Sequence, residues 1–360
     1  MKLVVYGLTV TSSWGNGHAT TYRSLLKALH RRGHQIHFVE KNVEWYRSNR
    51  DLPKPAFCTV HLYDSWDDEG TALLALSRDA DAVIVGSYFP NAIEATRLLV
   101  ESYRSPVLFY DIDTPITITQ LRRVGGTEYL SAELIPQYAA YLSFTGGPTL
   151  QELEHTFGAR QALAFYCSVD PDMYHPTEAV QEFKCHLSYL GTYAPDRQPK
   201  LMELLNEPAQ RLPGKQFMVA GPQYPEGIPW ADNVERIIHL SPPQHPSFYS
   251  SSQFTLNVTR DDMVAAGYSP SVRLFEASAC GATILSDYWA GLDDFLEAGE
   301  EILLPTDADD VVKILREIPD EERIRIGQRA RQRILDEHTS EHRARQFEEV
   351  LAGCVTSQPA

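Results

Sequence analysis

The sequence predicts an α/β protein with two doubly wound domains, and three observations support this fold class. The chain has 360 residues, which is more than one hydrophobic core usually supports. Short apolar runs alternate with helical patterns along most of the chain. The alternation then starts again after an acidic segment with two prolines near the middle, which indicates a second domain of the same kind.

Four apolar runs in the N-terminal half are typical of strands buried on both faces of a parallel sheet. They are Leu3–Tyr6, Ile36–Val39, Ala82–Val85 and Val107–Tyr110. Between the first two, apolar residues at helical spacing from Tyr22 to Leu29 predict a helix that is closed by Gly33. A strand, a helix and a strand of these lengths form a βαβ unit, as a doubly wound domain requires.

A second series of predicted strands follows the segment Ser168–Pro176, whose prolines and acids are typical of a linker. The strands are Leu187–Leu190, Phe217–Ala220, Phe254–Val258, Thr283–Leu285 and Ile302–Leu304. Residues 320–351 predict terminal amphipathic helices. We therefore predict an N-terminal domain at 1–170, a C-terminal domain at 171–345 and a helix end with a tail at 346–360. Two such domains are expected to face each other across a central cleft.

Composition excludes some classes of partner. The chain carries 48 acidic and 32 basic residues, a net charge of -16, so we expect neither nucleic acid nor an anionic membrane surface as a partner. No apolar stretch is long enough to cross a bilayer, and Met1–Val10 is too short for a signal sequence. Five scattered cysteines without metal-ligand spacing fit a reducing compartment. We predict a cytoplasmic protein.

The segment Tyr268–Leu292 carries the most chemical information. Ser269 is a candidate N-cap, Pro270 suits the first helical turn and Gly281 suits the position after the helix. The start of this helix would offer backbone N–H groups to a phosphate, with Ser271 and Arg273 as further donors. Glu276 could bind a ribose diol. The alternative is an amphipathic helix with a surface salt bridge between Arg273 and Glu276.

Several stretches resemble one family of glycosyltransferases. FEASACGATILSDYWAGL resembles the donor-binding signature of the CgeB-like (spore-maturation-protein-like) family within the group 1 glycosyltransferases, which have the GT-B fold of two Rossmann-like domains. SVDPDMYHP resembles the interdomain linker of that family, and LSYLGTYAPDR and FMVAGPQYPEG resemble the first strand-loop units of its donor domain. GNGHATTYRSLLKALHRRGHQIHFVE, DIDTP and YLSFTGG resemble its N-terminal domain. The resemblance covers nearly the whole chain, in order.

The resemblance implies a nucleotide-sugar site in the C-terminal domain, with UDP as the expected nucleotide and no other cofactor. Glu276 would hold the ribose, while Ser271 and Val272 would meet the diphosphate through backbone N–H groups. Arg197 and Arg260 would neutralise the departing diphosphate. The full set of implied binding residues in this domain is Arg197, Gly221, Leu240, Asn257, Arg260, Ser269, Ser271, Val272, Arg273 and Glu276. The nucleobase would lie near Gly221 and Leu240.

One departure from the family pattern concerns the donor sugar. Retaining group 1 enzymes often carry a glutamate eight positions before the ribose-binding one, and Tyr268 stands there in this chain. The sequence therefore leaves the stereochemical outcome open.

The N-terminal domain offers a second candidate site. Gly15 and Gly17 follow the first strand, where glycines let the backbone approach a ligand, so we include them among the nucleotide-sugar-binding candidates. His18 is placed to take a proton from an acceptor hydroxyl. The alternative is that His18 caps the helix or bonds to nearby backbone.

Asp111 and Asp113 form a DxD pair at a strand end. We predict no metal site here, because the pair lies in the domain opposite to the expected donor. Asp113 is, with His18, a candidate catalytic residue on the acceptor side, whereas loop capping is favoured for Asp111. Trp14, Trp45 and Trp66 either pack in the protein or stack on an acceptor ring, and packing is the commoner role.

The predicted function is metal-independent transfer of a sugar from a nucleotide diphosphate, UDP in our expectation, to an unidentified saccharide, small-molecule or protein acceptor. Two alternatives remain. The same fold could serve a nucleotide-sugar epimerase, or the chain could be an inactive protein that binds a nucleotide sugar.

Overall fold

The computed structural model describes residues 1–356, which form two compact units. One unit comprises Met1–Ser168 together with the chain from Ser340 onward, and the other comprises Val169–Thr339. The first boundary falls at the start of the predicted linker, two residues before the predicted one. The second differs from the predicted 345, because the helix that begins at Ser340 packs in the N-terminal unit. Residues 357–360 of the predicted tail lie outside the described residues.

The N-terminal unit is built on a seven-stranded parallel sheet of order β3-β2-β1-β4-β5-β6-β7. Its strands are β1 (Lys2–Tyr6), β2 (Gln35–Lys41), β3 (Thr59–Tyr63), β4 (Ala82–Gly86), β5 (Val107–Asp111), β6 (Ala140–Ser143) and β7 (Ala162–Ala164). All four strands predicted for this half are confirmed. Three strands were not predicted: β3 is largely exposed or half-buried, and β6 and β7 have only four and three residues.

Seven α-helices cover this sheet among the described residues. They are α1 (His18–Arg31), α2 (Glu44–Arg47), α3 (Trp66–Leu74), α4 (Ala92–Ser102), α5 (Thr114–Val124), α6 (Pro148–His155) and, from the end of the chain, α14 (Ser340–Thr356), with 3-10 turns at Ala75–Ser77 and Ala132–Gln137. The predicted first helix is confirmed, and Gly33 follows it with φ +88°. Trp66 packs edge-on against Phe89 in the core, so of the two predicted roles it has packing within the protein.

The C-terminal unit is built on a five-stranded parallel sheet of order β10-β9-β8-β11-β12. Its strands are β8 (Cys185–Leu190), β9 (Phe217–Ala220), β10 (Val234–Ile237), β11 (Ser252–Asn257) and β12 (Thr283–Ser286). Four of the five strands predicted here are confirmed. The prediction for Ile302–Leu304 was wrong, because a turn from Glu297 to Ile302 leaves a single bridge between Leu303 and Leu285.

The helices of this unit pack on both sides of its sheet. They are α7 (Gln198–Leu201), α8 (Glu207–Arg211), α9 (His245–Ser251), α10 (Asp261–Ala266), α11 (Val272–Ala279), α12 (Ala308–Glu317) and α13 (Asp320–Glu337), with a π-helical turn at Met202–Asn206 and 3-10 turns at Gln181–Phe183, Pro242–Gln244 and Leu292–Asp294. The terminal helices predicted for residues 320–351 are confirmed as α13 and α14. Within residues 1–356, no helix combines the length and apolar character that a membrane span needs.

Both sheets have the strand order of a Rossmann fold, in which the order reverses next to the first strand. The reversal lies between β1 and β4 in the N-terminal unit and between β8 and β11 in the C-terminal unit. Ligands of such sheets bind beyond the carboxyl ends of the strands at this point. The loops after these four strands are therefore where functional side chains are expected.

Candidate active site

In the C-terminal unit, the carboxyl edge of the sheet gathers most of the predicted donor-binding residues. Gly191 follows β8, Gly221 follows β9, and Asn257 ends β11 shortly before Arg260. Helix α11 begins at Val272. Since all five strands are parallel, these positions lie at one edge of the sheet.

Gly221 lets two of these loops touch. Its backbone has φ +143°, and a Cβ atom there would stand 2.0 Å from the carbonyl oxygen of Gly191. A side chain at this position would push apart the loops after β8 and β9.

The start of α11 differs from the sequence prediction. Ser271, with extended backbone at ψ 150°, is the N-cap, so the prediction of Ser269 as N-cap was wrong and Pro270 lies before the helix. The Ser271 hydroxyl donates to Asn257 Oδ1 at 2.8 Å and makes no capping hydrogen bond to the helix. The N–H groups of the first turn therefore lack a side-chain cap, which is the arrangement that binds an anion.

Arg273 is held within the unit and does not pair with Glu276. Its Nε donates to the carbonyl oxygen of Leu190 at 2.6 Å, its Nη1 donates to Asn257 Oδ1 at 2.7 Å, and the guanidinium lies 4.7 Å from the centre of the Tyr189 ring. The side chain is buried. The alternative of a surface salt bridge was therefore wrong, and the charge of Arg273 lies beneath the ends of β8 and β11.

Arg197 carries an incompletely satisfied charge. Its Nη2 donates to the carbonyl oxygen of Thr192 at 2.6 Å, whereas its buried Nε has no hydrogen-bond partner among the described residues. Burial lowers the pKa of Arg197, and the charges of Arg273 and Arg260 act in the same direction. Arginines that repel one another in a protein of net charge -16 indicate a site for an anion.

Arg260 and Lys200 extend this positive region. Arg260 Nε lies 3.4 Å from Asp196 Oδ2 and its side chain is 42% exposed, so the guanidinium remains accessible. Burial raises the pKa of Asp287, and the nearby positive charge of Lys200 in α7 opposes this rise. Sequence reasoning missed Lys200, although it lies three residues after Arg197 on the same helical turn.

Glu276 lies in a polar niche that the sequence did not reveal. The carboxylate is 6% exposed, and its Oε2 lies 3.8 Å from His245 Nδ1. The same nitrogen lies 3.3 Å from the Tyr174 hydroxyl, while His245 Nε2 lies 3.3 Å from the carbonyl oxygen of Leu240. Burial raises the pKa of Tyr174, and the charge of Glu276 raises it further, so this phenol stays a donor. The niche links the predicted ribose ligand to Leu240, the predicted base-side residue.

In the N-terminal unit, the glycine loop leads directly into α1. Gly15 has φ +68°, and Gly17 is the N-cap residue of the helix. The side chain of Asn16 accepts a hydrogen bond from Ala19 N at 3.1 Å. Asn16 thus supplies the side-chain cap, and the alternative that His18 caps this helix was wrong.

His18 pairs with Asp113, the second candidate catalytic residue. His18 Nε2 lies 2.9 Å from Asp113 Oδ2, and the Ser87 hydroxyl donates to the same oxygen at 2.8 Å. His18 is 6% exposed, and its Nδ1 has no hydrogen-bond partner among residues 1–356. A carboxylate on one imidazole nitrogen fixes the tautomer that leaves a lone pair on the other nitrogen. The pair has the arrangement of an oriented general base.

Asp111 is buried next to this pair and binds the backbone of Asp113. Its Oδ2 accepts from the Tyr141 hydroxyl at 2.5 Å, and its Oδ1 accepts from Thr117 Oγ1 at 2.9 Å and from the backbone N–H of Asp113 at 3.2 Å. The bond to the Asp113 backbone is the loop-capping role that the sequence favoured. Burial raises the pKa of Asp111 to about 7, and the charge of Asp113 contributes.

Tyr88 lies beside the dyad in a strained conformation. Its φ of +59° is costly for a bulky side chain, and such strain occurs mainly at functional sites. The ring meets the His18 imidazole edge-on at 5.9 Å and remains 38% exposed. Tyr88 and Ser87 follow β4, so their closeness to His18 results from the pairing of β1 with β4 and could not be found from spacing along the sequence.

One family of proteins and several solved structures are similar to the chain. Residues 197–349 match a family described as "Glycosyl transferase-like". No curated protein is significantly similar to the chain. Among solved structures, sucrose-phosphate synthase from Thermosynechococcus elongatus is similar with a TM-score of 0.71 at 12% identity, covering 99% of this chain and 100% of that one.

Two further solved structures are similar over nearly their full length. HepE from Anabaena, in complex with UDP and glucose, has a TM-score of 0.69 at 12% identity, with 98% of this chain and 100% of that chain covered. A structure described as trehalose-6-phosphate from E. coli, bound with UDP-2-fluoro glucose, has a TM-score of 0.67 at 12% identity, with 98% of this chain and 99% of that chain covered. The chain thus has the GT-B fold of glycosyltransferases, and its residues 197–349 are similar to the glycosyl transferase-like family.

Proposed function

We propose that the chain transfers a sugar from a UDP-sugar to a hydroxyl group of an acceptor, without a metal ion. The observation that carries the proposal is the convergence of Arg197, Arg260, the uncapped start of α11 and Glu276 at one sheet edge. Arginines and N–H groups suit a diphosphate, and a carboxylate suits a ribose diol. UDP as the nucleotide is supported by HepE, whose structures hold UDP and glucose or UDP-glucose.

The chemistry follows from how charge develops in the reaction. As the bond between the sugar and the diphosphate breaks, negative charge grows on the leaving oxygen, and fixed positive groups stabilise it. Arg197 is already desolvated and partly unsatisfied, so little reorganisation is needed when the charge appears. This supports arginine in the role that a divalent cation has in other transferases.

The acceptor class remains part of the proposal. A saccharide, another small molecule or a protein hydroxyl would each suit a His18 base, and the acidic surface disfavours nucleic acid. A cytoplasmic location is also proposed, supported by five cysteines that form no disulfide. Membership of the CgeB-like branch of the family stays a prediction from the sequence.

The first test is binding of UDP to a Glu276 variant. Glu276→Ala is expected to weaken UDP binding by about 1–3 kcal/mol, because the ribose hydroxyls lose a charged acceptor. Isothermal titration calorimetry measures the change. Glu235→Ala, which removes an exposed carboxylate from β10, is the matched control and should bind UDP like the wild type. Equal affinity for UDP in the wild type and Glu276→Ala would remove Glu276 from the nucleotide site.

The type of reaction is tested with donor alone. A thermal-shift screen first identifies sugar nucleotides that raise the melting temperature, since a ligand of the folded state stabilises it. Incubation with such a donor and no acceptor then separates the functions. Slow release of UDP and free sugar supports a transferase, an epimerised sugar nucleotide supports an epimerase, and an unchanged donor supports a binding protein.

A further inference from the structure

We infer that Asp196 binds the sugar of the donor, and that its carboxylate oxygen Oδ1 accepts a hydrogen bond from a sugar hydroxyl group. This role rests on the proposed function and extends it from the nucleotide to the group that is transferred. It follows from the place of Asp196 in the C-terminal sheet, from the different surroundings of its two oxygens and from the charges of its neighbours.

Asp196 lies where the loops on either side of the strand-order reversal meet. It belongs to the loop after β8, and its Oδ2 accepts from the backbone N–H of Asp261 at 3.2 Å and from Arg260 Nε at 3.4 Å. Both of these residues belong to the segment that follows β11. Since β8 and β11 are the strands between which the order reverses, Asp196 lies where a ligand of this sheet is expected.

The two carboxylate oxygens of Asp196 have different surroundings. Oδ2 binds the segment after β11, whereas Oδ1 is buried and has no hydrogen-bond partner among the described residues. The next two residues share this feature, because Arg197 Nε and Gln198 Nε2 are buried donors that also lack a partner within residues 1–356. Buried polar atoms without hydrogen bonds are unfavourable. Three of them in consecutive residues indicate a ligand that offers both hydroxyl groups and acceptor oxygens.

The charge of Asp196 restricts which part of a ligand it can bind. Burial acts to raise the pKa of Asp196, but the charge of Arg260 and the hydrogen bond from the Asp261 backbone lower it below its usual value. The side chain is therefore a carboxylate at neutral pH. It repels a diphosphate, whose ionised oxygens have no proton to donate. Oδ1 can thus accept only from a hydroxyl or N–H group of the ligand.

The ribose of the donor is assigned to a different carboxylate. Glu276 contacts His245 and Tyr174, and in the part of the chain that the structure describes it shares no hydrogen-bond or ion-pair partner with Asp196. Under the proposed function, Glu276 binds the ribose diol. The remaining hydroxyl groups of a UDP-sugar are those of the sugar itself.

The sugar is joined directly to the diphosphate, so its hydroxyl groups lie close to the groups that hold the diphosphate. Asp196 precedes Arg197 in the chain and pairs with Arg260, and these are the two arginines proposed to bind the diphosphate. A carboxylate next to both arginines can therefore reach the sugar end of the donor, where it accepts from a hydroxyl group that the arginines cannot accept from.

Binding of UDP and of a UDP-sugar to Asp196→Ala separates sugar binding from a structural role. UDP-glucose, UDP-galactose and UDP-N-acetylglucosamine are titrated by calorimetry, and the one that binds the wild type most tightly is chosen. Asp196→Ala should bind this donor about 10- to 100-fold more weakly, because a hydrogen bond to a charged group is lost. UDP should bind at least as tightly as before, because a negative charge beside the diphosphate is removed.

A loss of affinity that is equal for UDP and the UDP-sugar would overturn the inference. An aspartate that only shapes the loop, or that binds the base, affects both ligands alike. Asp261→Ala is the matched control, because it removes an exposed carboxylate from the neighbouring segment and keeps the backbone N–H that binds Asp196. This variant should change the affinities for UDP and for the UDP-sugar by the same factor.

Donor analogues test the same contact in the wild type as well. Analogues of the chosen UDP-sugar, each lacking one sugar hydroxyl, are titrated against the wild type and Asp196→Ala. One analogue should bind the wild type about 10- to 100-fold more weakly than the parent donor, and should bind Asp196→Ala as tightly as the parent does. Equal binding of all analogues to the wild type would exclude the contact and leave the UDP site intact. If neither UDP nor any UDP-sugar binds the wild type, the proposed function itself fails.

Discussion

Among single residues, Asp111 shows how burial changes the chemistry of a carboxyl group. It is completely buried, and three donors surround it: the Tyr141 hydroxyl, the Thr117 hydroxyl and the backbone N–H of Asp113. Burial raises its pKa to about 7 because the charged form loses its hydration, and the nearby charge of Asp113 acts in the same direction. Near neutral pH this carboxyl group is therefore partly protonated in the folded chain.

The pKa of Asp111 predicts how stability depends on pH. An unfolded aspartate releases its proton near pH 4, whereas the folded chain keeps this one until about pH 7. Between these values the folded state binds more protons, so the free energy of unfolding falls as pH rises from about 4 to about 7. The side chain of Asp111→Asn cannot titrate. Between pH 5 and pH 8, the free energy of unfolding should therefore fall by about 2–3 kcal/mol less in this variant than in the wild type.

Urea unfolding at pH 5 and pH 8 measures this difference for the wild type and the variant. Only the change with pH is compared, because the substitution itself alters stability at both values. Asp67→Asn, at an exposed position in α3, should keep the wild-type decline. The same decline in Asp111→Asn would show that another group causes it.

At the scale of elements, α11 illustrates what the sequence could and could not predict. Its end was predicted correctly because Gly281, with φ +74°, closes a local motif in which Gly281 N donates to Ser278 O and Ala282 N donates to Ala277 O. Its beginning was predicted wrongly because the choice of Ser271 over Ser269 depends on a hydrogen bond to Asn257 in another strand. The sequence therefore predicts hydrogen bonds between residues that are close along the chain, but it does not predict those between residues that are far apart.

The same distinction applies to the strands and the candidate site. Four strands of the N-terminal sheet were predicted because burial on both faces favours a continuous apolar run, whereas the edge strand β3 mixes polar and apolar residues and the strands β6 and β7 are short. His18 and Asp113 were both predicted, but their contact depends on the order of strands in the sheet. The niche of Glu276, with His245 and Tyr174, carried no sequence signal because isolated histidines and tyrosines are common.

The C-terminal cap of α11 gives a prediction at this scale. Gly281→Ala should lower the free energy of unfolding by about 1–2 kcal/mol, because an L-residue at positive φ brings its Cβ close to the carbonyl oxygen. Space does not limit the substitution, since the nearest atoms to a Cβ there are Pro176 Cγ at 3.7 Å and Arg331 Cδ at 3.9 Å. Urea unfolding measures the loss. Gly214→Ala, exposed and without positive φ, is the control, and an equal effect in both variants would exclude the cap as the cause.

At the scale of the whole molecule, two sheets of the same order carry different chemistry at the same topological position. The end of the C-terminal sheet has arginines, an uncapped helix and Glu276. The end of the N-terminal sheet has a histidine, two aspartates and a strained tyrosine. The fold supplies the position beyond the strand ends in both units, and the loop residues determine whether it suits an anion or a proton transfer.

This division predicts where UDP alone protects the chain. All the proposed UDP contacts lie in the C-terminal unit, except for the glycine loop that holds Gly15 and Gly17. Saturating UDP should therefore slow amide hydrogen exchange of residues 190–198 and 268–276, because binding suppresses local opening of these loops. Strand β3 serves as the internal control and should exchange at an unchanged rate. Mass spectrometry of peptic fragments measures both, and protection confined to residues 12–20 would relocate the nucleotide site.

The return of α14 to the N-terminal unit has a consequence for synthesis on the ribosome. Phe347 packs against Phe165 with ring centres 6.2 Å apart, Gln346 donates to Ala164 O, and Glu348 holds Arg32 and His34. Because translation proceeds from the first residue to the last, the first 168 residues emerge long before this helix does. The surface that α14 covers stays exposed to water during that interval, so the first half of the protein reaches its finished form only after the second half has been made.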